Sequence, residues 1–160
     1  MARRRGQAAL EFLSTYGFAF LLILVMIAAL SYFGILNPQR FVPTRCLVST
    51  EFTCRDSQLA SGTTALNIQL INNNPNQISI TAVGANAPTI SGTATACTVN
   101  GGGVPQNVGS GAIFTVSCTG ITGTWPPVGD KLKANFSFTY TQTGLPYPKS
   151  AAGEVLQTVS

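Results

Sequence analysis

The sequence contains no histidine, and only 9% of its 160 residues are charged, against about 25% in an ordinary soluble domain. The absence of histidine removes the commonest general base and the commonest side-chain ligand of metal ions. No nucleophile motif is present, and the few carboxylates have no paired spacing: Glu11, Glu51, Asp56, Asp130 and Glu154. We therefore expect a protein that is not an enzyme and that uses no cofactor.

Basic residues are also scarce outside the N-terminus. The chain has nine Lys and Arg residues and a formal net charge of +4, but three of the nine are the consecutive Arg3, Arg4 and Arg5. The other six basic residues are nearly balanced in number by the five acidic residues. No basic patch therefore remains for binding a phosphate backbone, which needs several clustered cations. This distribution argues against a nucleic-acid partner.

A long apolar segment follows these arginines. Residues 18–36 carry no charge, and their number meets the about 17–25 apolar residues of a membrane-spanning helix. Arginines before such a helix stay in the cytoplasm, so the residues after position 36 are expected outside. A removed secretory signal is disfavoured, because residues 32–38 offer no small-x-small cleavage site. A plain membrane anchor explains these features equally well.

A single carboxylate, Glu11, stands at the beginning of this apolar segment. A carboxylate inside a membrane costs up to about 2.5–3.5 kcal/mol at mid-helix and usually has a partner. Helical spacing puts Ser14, Thr15 and Phe18 on the same face as Glu11. This polar notch is expected to meet a donor on another helix, which a plain anchor does not require.

Residues 3–13 read Arg-Arg-Arg-Gly-Gln-Ala-Ala-Leu-Glu-Phe-Leu. A short basic leader, a glycine at the junction, a glutamate five residues on and an unbroken apolar run together resemble the class III signal peptide of archaeal type IV pilins. The resemblance implies that a prepilin peptidase cuts between Gly6 and Gln7. Residues 1–6 are then a basic leader and residues 7–36 a hydrophobic assembly and transmembrane helix. Glu11 pairs with the freed amine of Gln7, in its own or in a neighbouring subunit.

The function implied by this resemblance is structural. The chain would be the major pilin of an archaeal type IV pilus, a helical filament of identical subunits used for surface adhesion. It would sit in the cytoplasmic membrane before the assembly machinery adds it to the extracellular filament. Three alternatives stay open: a minor pilin or adhesin, with loops 101–111 or 120–130 contacting a surface; an archaellin-like filament subunit; and an uncleaved membrane-anchored surface protein.

The hydrophobic period changes from helical to alternating after the apolar segment. Pro38 and Pro43 end the helix near Leu36 and make residues 37–45 a connection. Alternating stretches then predict strands, clearest at residues 66–70, 78–82, 112–118 and 132–140, and weaker at 46–53, 93–99 and 153–159. About seven short strands with turn-rich spacers predict an immunoglobulin-like β-sandwich over residues 37–160. The predicted class is therefore α+β.

All four cysteines lie in this second part: Cys46, Cys54, Cys97 and Cys118. An even number in an exported β-domain indicates two disulfides, although four cysteines allow three connectivities. We favour the sequence-local pairs, in which Cys46–Cys54 closes a hairpin near the helix junction and Cys97–Cys118 ties two strands together. A zinc site is disfavoured, because the sequence has no CxxC pair and no histidine.

Three further motifs belong to the β-domain. Asn135-Phe136-Ser137 matches the N-glycosylation tripeptide, and its alternation points Asn135 and Ser137 away from the apolar face. Residues 101–103 are three glycines without the Lys-Ser/Thr ending of a phosphate loop, so a plain loop is expected. Residues 125–127 and 145–148 combine aromatic or apolar residues with proline and are expected in loops, as turn-forming residues or as contact points.

Overall fold

The computed structural model describes residues 3–34 and 42–160. The chain divides into two compact units, of which the second, Pro43–Ser160, is called the head below. The first unit contains one helix, α1, Arg3–Tyr32. It ends there because Gly34 takes a left-handed φ of 69°, which is the usual glycine stop of a helix. The predicted end near Leu36 is therefore too late, and residues 35–41, in which the predicted connection begins, lie outside the described residues.

The head is built from ten strands among the residues that the structure describes. They are β1 Arg45–Val48, β2 Phe52–Ala60, β3 Ala65–Asn72, β4 Ile78–Ala87, β5 Gly92–Thr93, β6 Ala96–Val99, β7 Gln106–Val108, β8 Ile113–Thr119, β9 Lys131–Gln142 and β10 Lys149–Thr158. A short 3-10 helix, Pro88–Ile90, follows β4.

These strands form two antiparallel sheets. The first sheet has the order β1-β10-β9-β4-β5, with β7 also pairing with β4, and the second has the order β2-β3-β8-β6. Aromatic side chains join the sheets: the ring of Phe52 on β2 lies 4.9 Å from that of Phe138 and 5.2 Å from that of Tyr140, both on β9. The α+β class with a β-sandwich is confirmed.

The alternation along β9 appears as predicted. Its inward positions are all buried, namely Leu132, Ala134, Phe136, Phe138 and Tyr140. The alternation along β4 fails at Ala82, which was expected to face inward with Ile78 and Ile80 but is exposed. The cause is a register shift between Ile80 and Ala82 in the pairing of β4 with β9, because one extra residue turns the following side chains to the other face.

The predicted strands at residues 46–53 and 93–99 are each divided between the two sheets. In the first, β1 ends at Val48, the Phe52 N–H donates to the Ser49 carbonyl at a corner, and the chain crosses from the first sheet to the second. In the second, β5 ends at Thr93 in the first sheet and β6 begins at Ala96 in the second. Strand β7 was not predicted, because it is only three residues long. The glycine run before β7 is a turn, as expected: Val99 and Gly102 exchange backbone hydrogen bonds of 2.9 Å around Asn100 and Gly101, both with positive φ.

Both expected disulfides are present in the head. Cys97 and Cys118 lie directly opposite each other on β6 and β8, with Cα atoms 4.1 Å apart. Cys46 and Cys54 lie on β1 and β2, which belong to different sheets, so this bridge joins the two layers of the sandwich. The expected hairpin between them is not formed, because the corner at residues 49–52 separates the two strands.

Removing the Cys97–Cys118 bridge is expected to cost about 3 kcal/mol, since it closes a loop of intermediate length in the unfolded chain. The double variant Cys97→Ser with Cys118→Ser tests this by urea denaturation of the full chain in detergent. The fluorescence of Trp125, the single tryptophan, reports the unfolding of the head. Equal midpoints for the oxidised wild type and the double variant would contradict the prediction.

Gly153 on β10 is predicted to tolerate no side chain. A Cβ there would lie 2.3 Å from a ring carbon of Phe136 and 2.5 Å from the Leu47 carbonyl oxygen. Gly153→Ala should therefore destabilise the head by about 1–3 kcal/mol, the usual cost of overpacking. Gly84 on β4 is the matched control, because a Cβ there meets nothing within 4 Å. Equal urea midpoints for Gly153→Ala and Gly84→Ala would refute the argument.

Candidate functional site

The most distinctive surface of the chain is the apolar part of α1. Residues Glu11–Tyr32 form a 22-residue stretch of mean hydropathy 2.3, and none of it is buried. Phe12, Leu13, Tyr16 and Phe18 are each more than 60% exposed, and apolar side chains occupy every face of the helix. At 1.5 Å per residue the stretch is about 33 Å long, which is long enough to cross a membrane by length and composition.

Glu11 lies at the first position of this stretch, with an exposed side chain. The hydroxyls of Ser14 and Thr15 donate to the Glu11 backbone carbonyl at 3.0 and 2.9 Å. The polar notch predicted from the sequence is therefore largely satisfied within its own helix. The Glu11 carboxylate itself has no hydrogen bond or ion pair among the side chains that the structure describes, and it is the group left available for a partner.

The predicted cleavage site lies within the helix. Gly6 and Gln7 belong to α1, which begins at Arg3 and passes through them without a break. The proposed pairing of the Gln7 amine with Glu11 lies outside the described side chains.

The head has an ion cluster on the outer face of its first sheet. Glu154 on β10 accepts from Arg45 on β1 at 2.8 Å and from Lys133 on β9 at 2.7 Å. Hydrogen bonds from Lys133 and then from Arg45 hold the pKa of Glu154 below its usual value. Because all three side chains reach solvent, the cluster contributes little to stability, and its main effect is to fix three neighbouring side chains.

A groove beside this ion cluster contains the glycosylation tripeptide. Its volume is about 750 Å3, and it crosses β1, β10, β9 and β4. Asn135 is half-buried in it, and the Asn135 Oδ1 is shielded from solvent without a hydrogen-bond partner among the described residues. The outward orientation predicted for Asn135 and Ser137 is observed. The groove itself was missed, because its walls come from strands far apart in the sequence.

A buried polar network closes one end of the sandwich. The side-chain amide of Asn72 donates to the carbonyls of Val108 and Gly109 at 3.3 and 2.9 Å, and its oxygen accepts from the backbone and side chain of Asn74. Gln142 donates in turn to the Asn74 side chain. The sequence indicated only an asparagine-rich turn here. Asn72 and Asn74 are in fact buried, whereas Asn73 between them is exposed.

No protein-family model and no curated protein matches this sequence. Among solved structures, the archaeal flagellum of Methanospirillum hungatei strain JF1 is similar at 15% identity and a TM-score of 0.33, with 96% of this chain and 92% of that chain covered. The Northeast Structural Genomics Consortium target SoR45 is similar at 8% identity and a TM-score of 0.36, with 67% of this chain and 84% of that chain covered. Such low scores carry no argument about function.

The two proline-containing loops differ in exposure. The indole nitrogen of Trp125 donates to the carbonyl of the buried Ile121 at 3.1 Å, so this loop covers the core. Leu145 and Tyr147 are 47% and 77% exposed in the loop between β9 and β10. Of the two predicted contact loops, the second presents apolar side chains to solvent.

Tyr140 has the most strongly shifted pKa among the described residues. It is fully buried, and its hydroxyl has no hydrogen-bond partner there. Burial first, and then the negative charge of Glu51, raises the pKa of Tyr140 to about 12.

This shift predicts a loss of stability at alkaline pH. Above pH 10 the unfolded chain releases the Tyr140 proton while the folded chain keeps it, so stability falls between the unfolded value of 10.0 and the folded value of about 12. The loss is about 3 kcal/mol, at 1.36 kcal/mol per pKa unit. Tyr140→Phe should lack this contribution and be at least as stable at pH 7, because it removes an unpartnered hydroxyl. The prediction would be contradicted if the urea midpoints of the wild type and of Tyr140→Phe changed by the same amount between pH 7 and pH 12.

Proposed function

We propose that this chain is the structural subunit of an extracellular filament, the major pilin of an archaeal type IV pilus. The observation that carries the proposal is α1, which exposes apolar side chains on all faces over Glu11–Tyr32 and has a carboxylate at the start of that stretch. A helix that is apolar all round has to be covered by a membrane or by protein. In the proposed cycle it is covered by lipid first and by the α1 helices of other subunits afterwards.

The leader decides which of these environments the helix occupies. Arg3, Arg4 and Arg5 place three positive charges at the cytoplasmic end and hold the helix in the membrane. Cleavage between Gly6 and Gln7 by a prepilin peptidase removes all three charges in one step. The shortened helix then has no basic anchor at that end and is free to leave the bilayer for a bundle of like helices.

Glu11 sets the axial register of each helix relative to its neighbours in the filament. Burying an unpaired carboxylate among apolar helices is costly, whereas a partner of opposite charge makes the same site favourable. The new amine of Gln7 on a neighbouring subunit is such a partner. Residues four apart on a helix lie on one face, so a fixed axial offset between subunits brings the amine and the carboxylate together. Small residues at Ala8, Ala9, Gly17 and Ala19 allow the close helix approach that this pairing needs.

The head is assigned to the outside of the filament. Two disulfides are typical of proteins that work in an oxidising environment. The exposed Leu145 and Tyr147 offer contact points for surface adhesion. The minor pilin or adhesin alternative would instead use loops 101–111 or 120–130.

N-terminal mass spectrometry of the exported protein tests the proposal. A pilin should begin at Gln7, whereas an uncleaved anchor should begin at Met1 or Ala2. Gly6→Leu should block cleavage and abolish filaments, while Gly17→Ala, at a position where a Cβ meets nothing within 4 Å, should leave cleavage intact. Abundance in sheared filaments then separates a major from a minor subunit. An intact N-terminus in sheared filaments would overturn the proposal.

A further inference from the structure

The outer face of the first sheet contains a trough lined by small residues. Gly84 on β4, Ser137 on β9 and Ala152 on β10 lie side by side in register. Ser49 extends this row, because its hydroxyl accepts from the Ala152 N–H and donates to the Ala152 carbonyl at 3.1 Å. No side chain in the row is larger than that of serine, so the row forms the floor of the groove described above.

A second row borders this floor and is polar. Asn86, Asn135 and Glu154 lie in register on β4, β9 and β10, followed by Leu47 on β1. Amides, a carboxylate and serine hydroxyls are the groups that bind the hydroxyls of sugars through hydrogen bonds. Leu47 is the one exposed large apolar side chain among the residues lining the groove. The lining is therefore suited to a carbohydrate and poor for an apolar protein segment.

The trough contains both functional members of the tripeptide. Asn135 and Ser137 lie two residues apart on one strand and on the same outer face, in adjacent rows. We propose that Asn135 is an N-glycan acceptor which is modified before β9 enters the sheet, and that the trough then holds the first sugars of the glycan. The proposal rests on the proposed function only in requiring an exported head.

The timing follows from the position of β9. It pairs with β10 on one side and with β4 on the other throughout residues 135–137. A transferase that recognises an extended tripeptide needs its main-chain groups, and in the folded head these groups are already engaged in the two ladders. The folded head is therefore a poor acceptor, and the unfolded chain that emerges from the membrane is a good one.

The reaction needs a lipid-linked oligosaccharide as donor. The Asn135 Nδ2 forms a bond to the anomeric carbon of the first sugar, and the bond from that carbon to the phosphate oxygen breaks. The lipid phosphate leaves with the electron pair, and the amide proton passes to a base of the transferase. No oxidant or reductant is involved.

Peptide mass spectrometry of the chain exported by its native host tests the modification. The peptide containing Asn135 should carry the mass of a glycan, which should be lost in Asn135→Gln and Ser137→Ala and kept in Ser137→Thr. All three substitutions lie on the outer face and leave the core unchanged. An unmodified Asn135 in the wild-type protein would overturn the proposal. The N-terminal peptide of the same digest reports independently on cleavage at Gln7, so the two proposals fail separately.

Two further measurements test timing and position. Native membranes with their own lipid-linked donor should glycosylate the urea-unfolded, reduced full chain at least about a hundredfold faster than the folded chain, because access to β9 requires opening of the sheet. Equal rates would refute modification before folding.

In the folded glycoprotein the glycan should resist an amidase that releases N-glycans. Gly84→Val fills the trough and should make the glycan cleavable, whereas Gly62→Ala, a turn position with open space around it, should not. Equal release of the glycan from the wild type, Gly84→Val and Gly62→Ala would refute the proposal that the trough holds the first sugars.

Discussion

Glu11→Gln should reduce the yield of sheared filaments by at least about tenfold. Glutamine keeps the shape of glutamate but removes the charge that pairs with the Gln7 amine, and breaking one side of a buried pair costs about 3–5 kcal/mol. Each 1.4 kcal/mol changes an association constant about tenfold, and the loss recurs at every subunit. The measurement is the amount of pilin in filaments relative to the amount in the membrane.

Ser14→Ala is the matched control for this experiment. Ser14 lies on the same face as Glu11, but its hydroxyl already donates within the helix at 3.0 Å, so its removal should leave the filament yield nearly unchanged. Cleavage after Gly6 should proceed normally in both variants, as seen from the mature mass. Filaments of Glu11→Gln at wild-type yield would show that the carboxylate does not direct assembly.

Asn72→Ala is expected to destabilise the head by about 4 kcal/mol. The substitution leaves the buried carbonyl of Val108, the partly buried carbonyl of Gly109 and the N–H groups of Asn74 without the partner they have now. Each buried polar group left unpaired costs about 1–3 kcal/mol, and the methyl group of alanine also leaves a cavity. Urea denaturation of the full chain, followed by Trp125 fluorescence, measures the loss.

Asn73→Ala provides the comparison at the next position. Its side chain is exposed and donates to the Thr53 hydroxyl at 2.7 Å, so its removal should cost less than about 1 kcal/mol. If the two variants had the same midpoint, the network around Asn72 would not be a structural element of the head.

Local pattern was enough to predict much of the head. Strand β9 alternates over nearly its whole length, because one of its faces packs against the other sheet and the other faces solvent. The pairing of Cys97 with Cys118 and of Cys46 with Cys54 also agrees with the expectation from sequence proximity. Prediction failed where a pattern was short or interrupted: at β7, with three residues, and at Ala82, where a bulge reversed the faces.

The helix end shows the same limit. Pro38 suggested that α1 continues to Leu36, but Gly34 ends it earlier, at Tyr32. Glycine is compatible with a helix and with a left-handed stop, and the choice depends on hydrogen bonds to Ala29 and Ser31 that the sequence does not display. A proline therefore gives a position beyond which a helix is not expected to continue, whereas a glycine gives only a position at which the helix can end.

The sequence by itself determined the division into an apolar helix and a β-domain, the position of Glu11 at the start of the apolar stretch of that helix, and the location of the tripeptide at Asn135. These features depend on residue type and on spacing within one segment. Only the tertiary structure decided that Cys46–Cys54 joins two sheets, that Asn72 is buried while Asn73 is not, and that Gly84, Ser137 and Ala152 form one trough. Each of these depends on which strands lie side by side. Pairing between strands that are far apart in the chain is set by the packing of the whole sandwich, and no single segment carries that information.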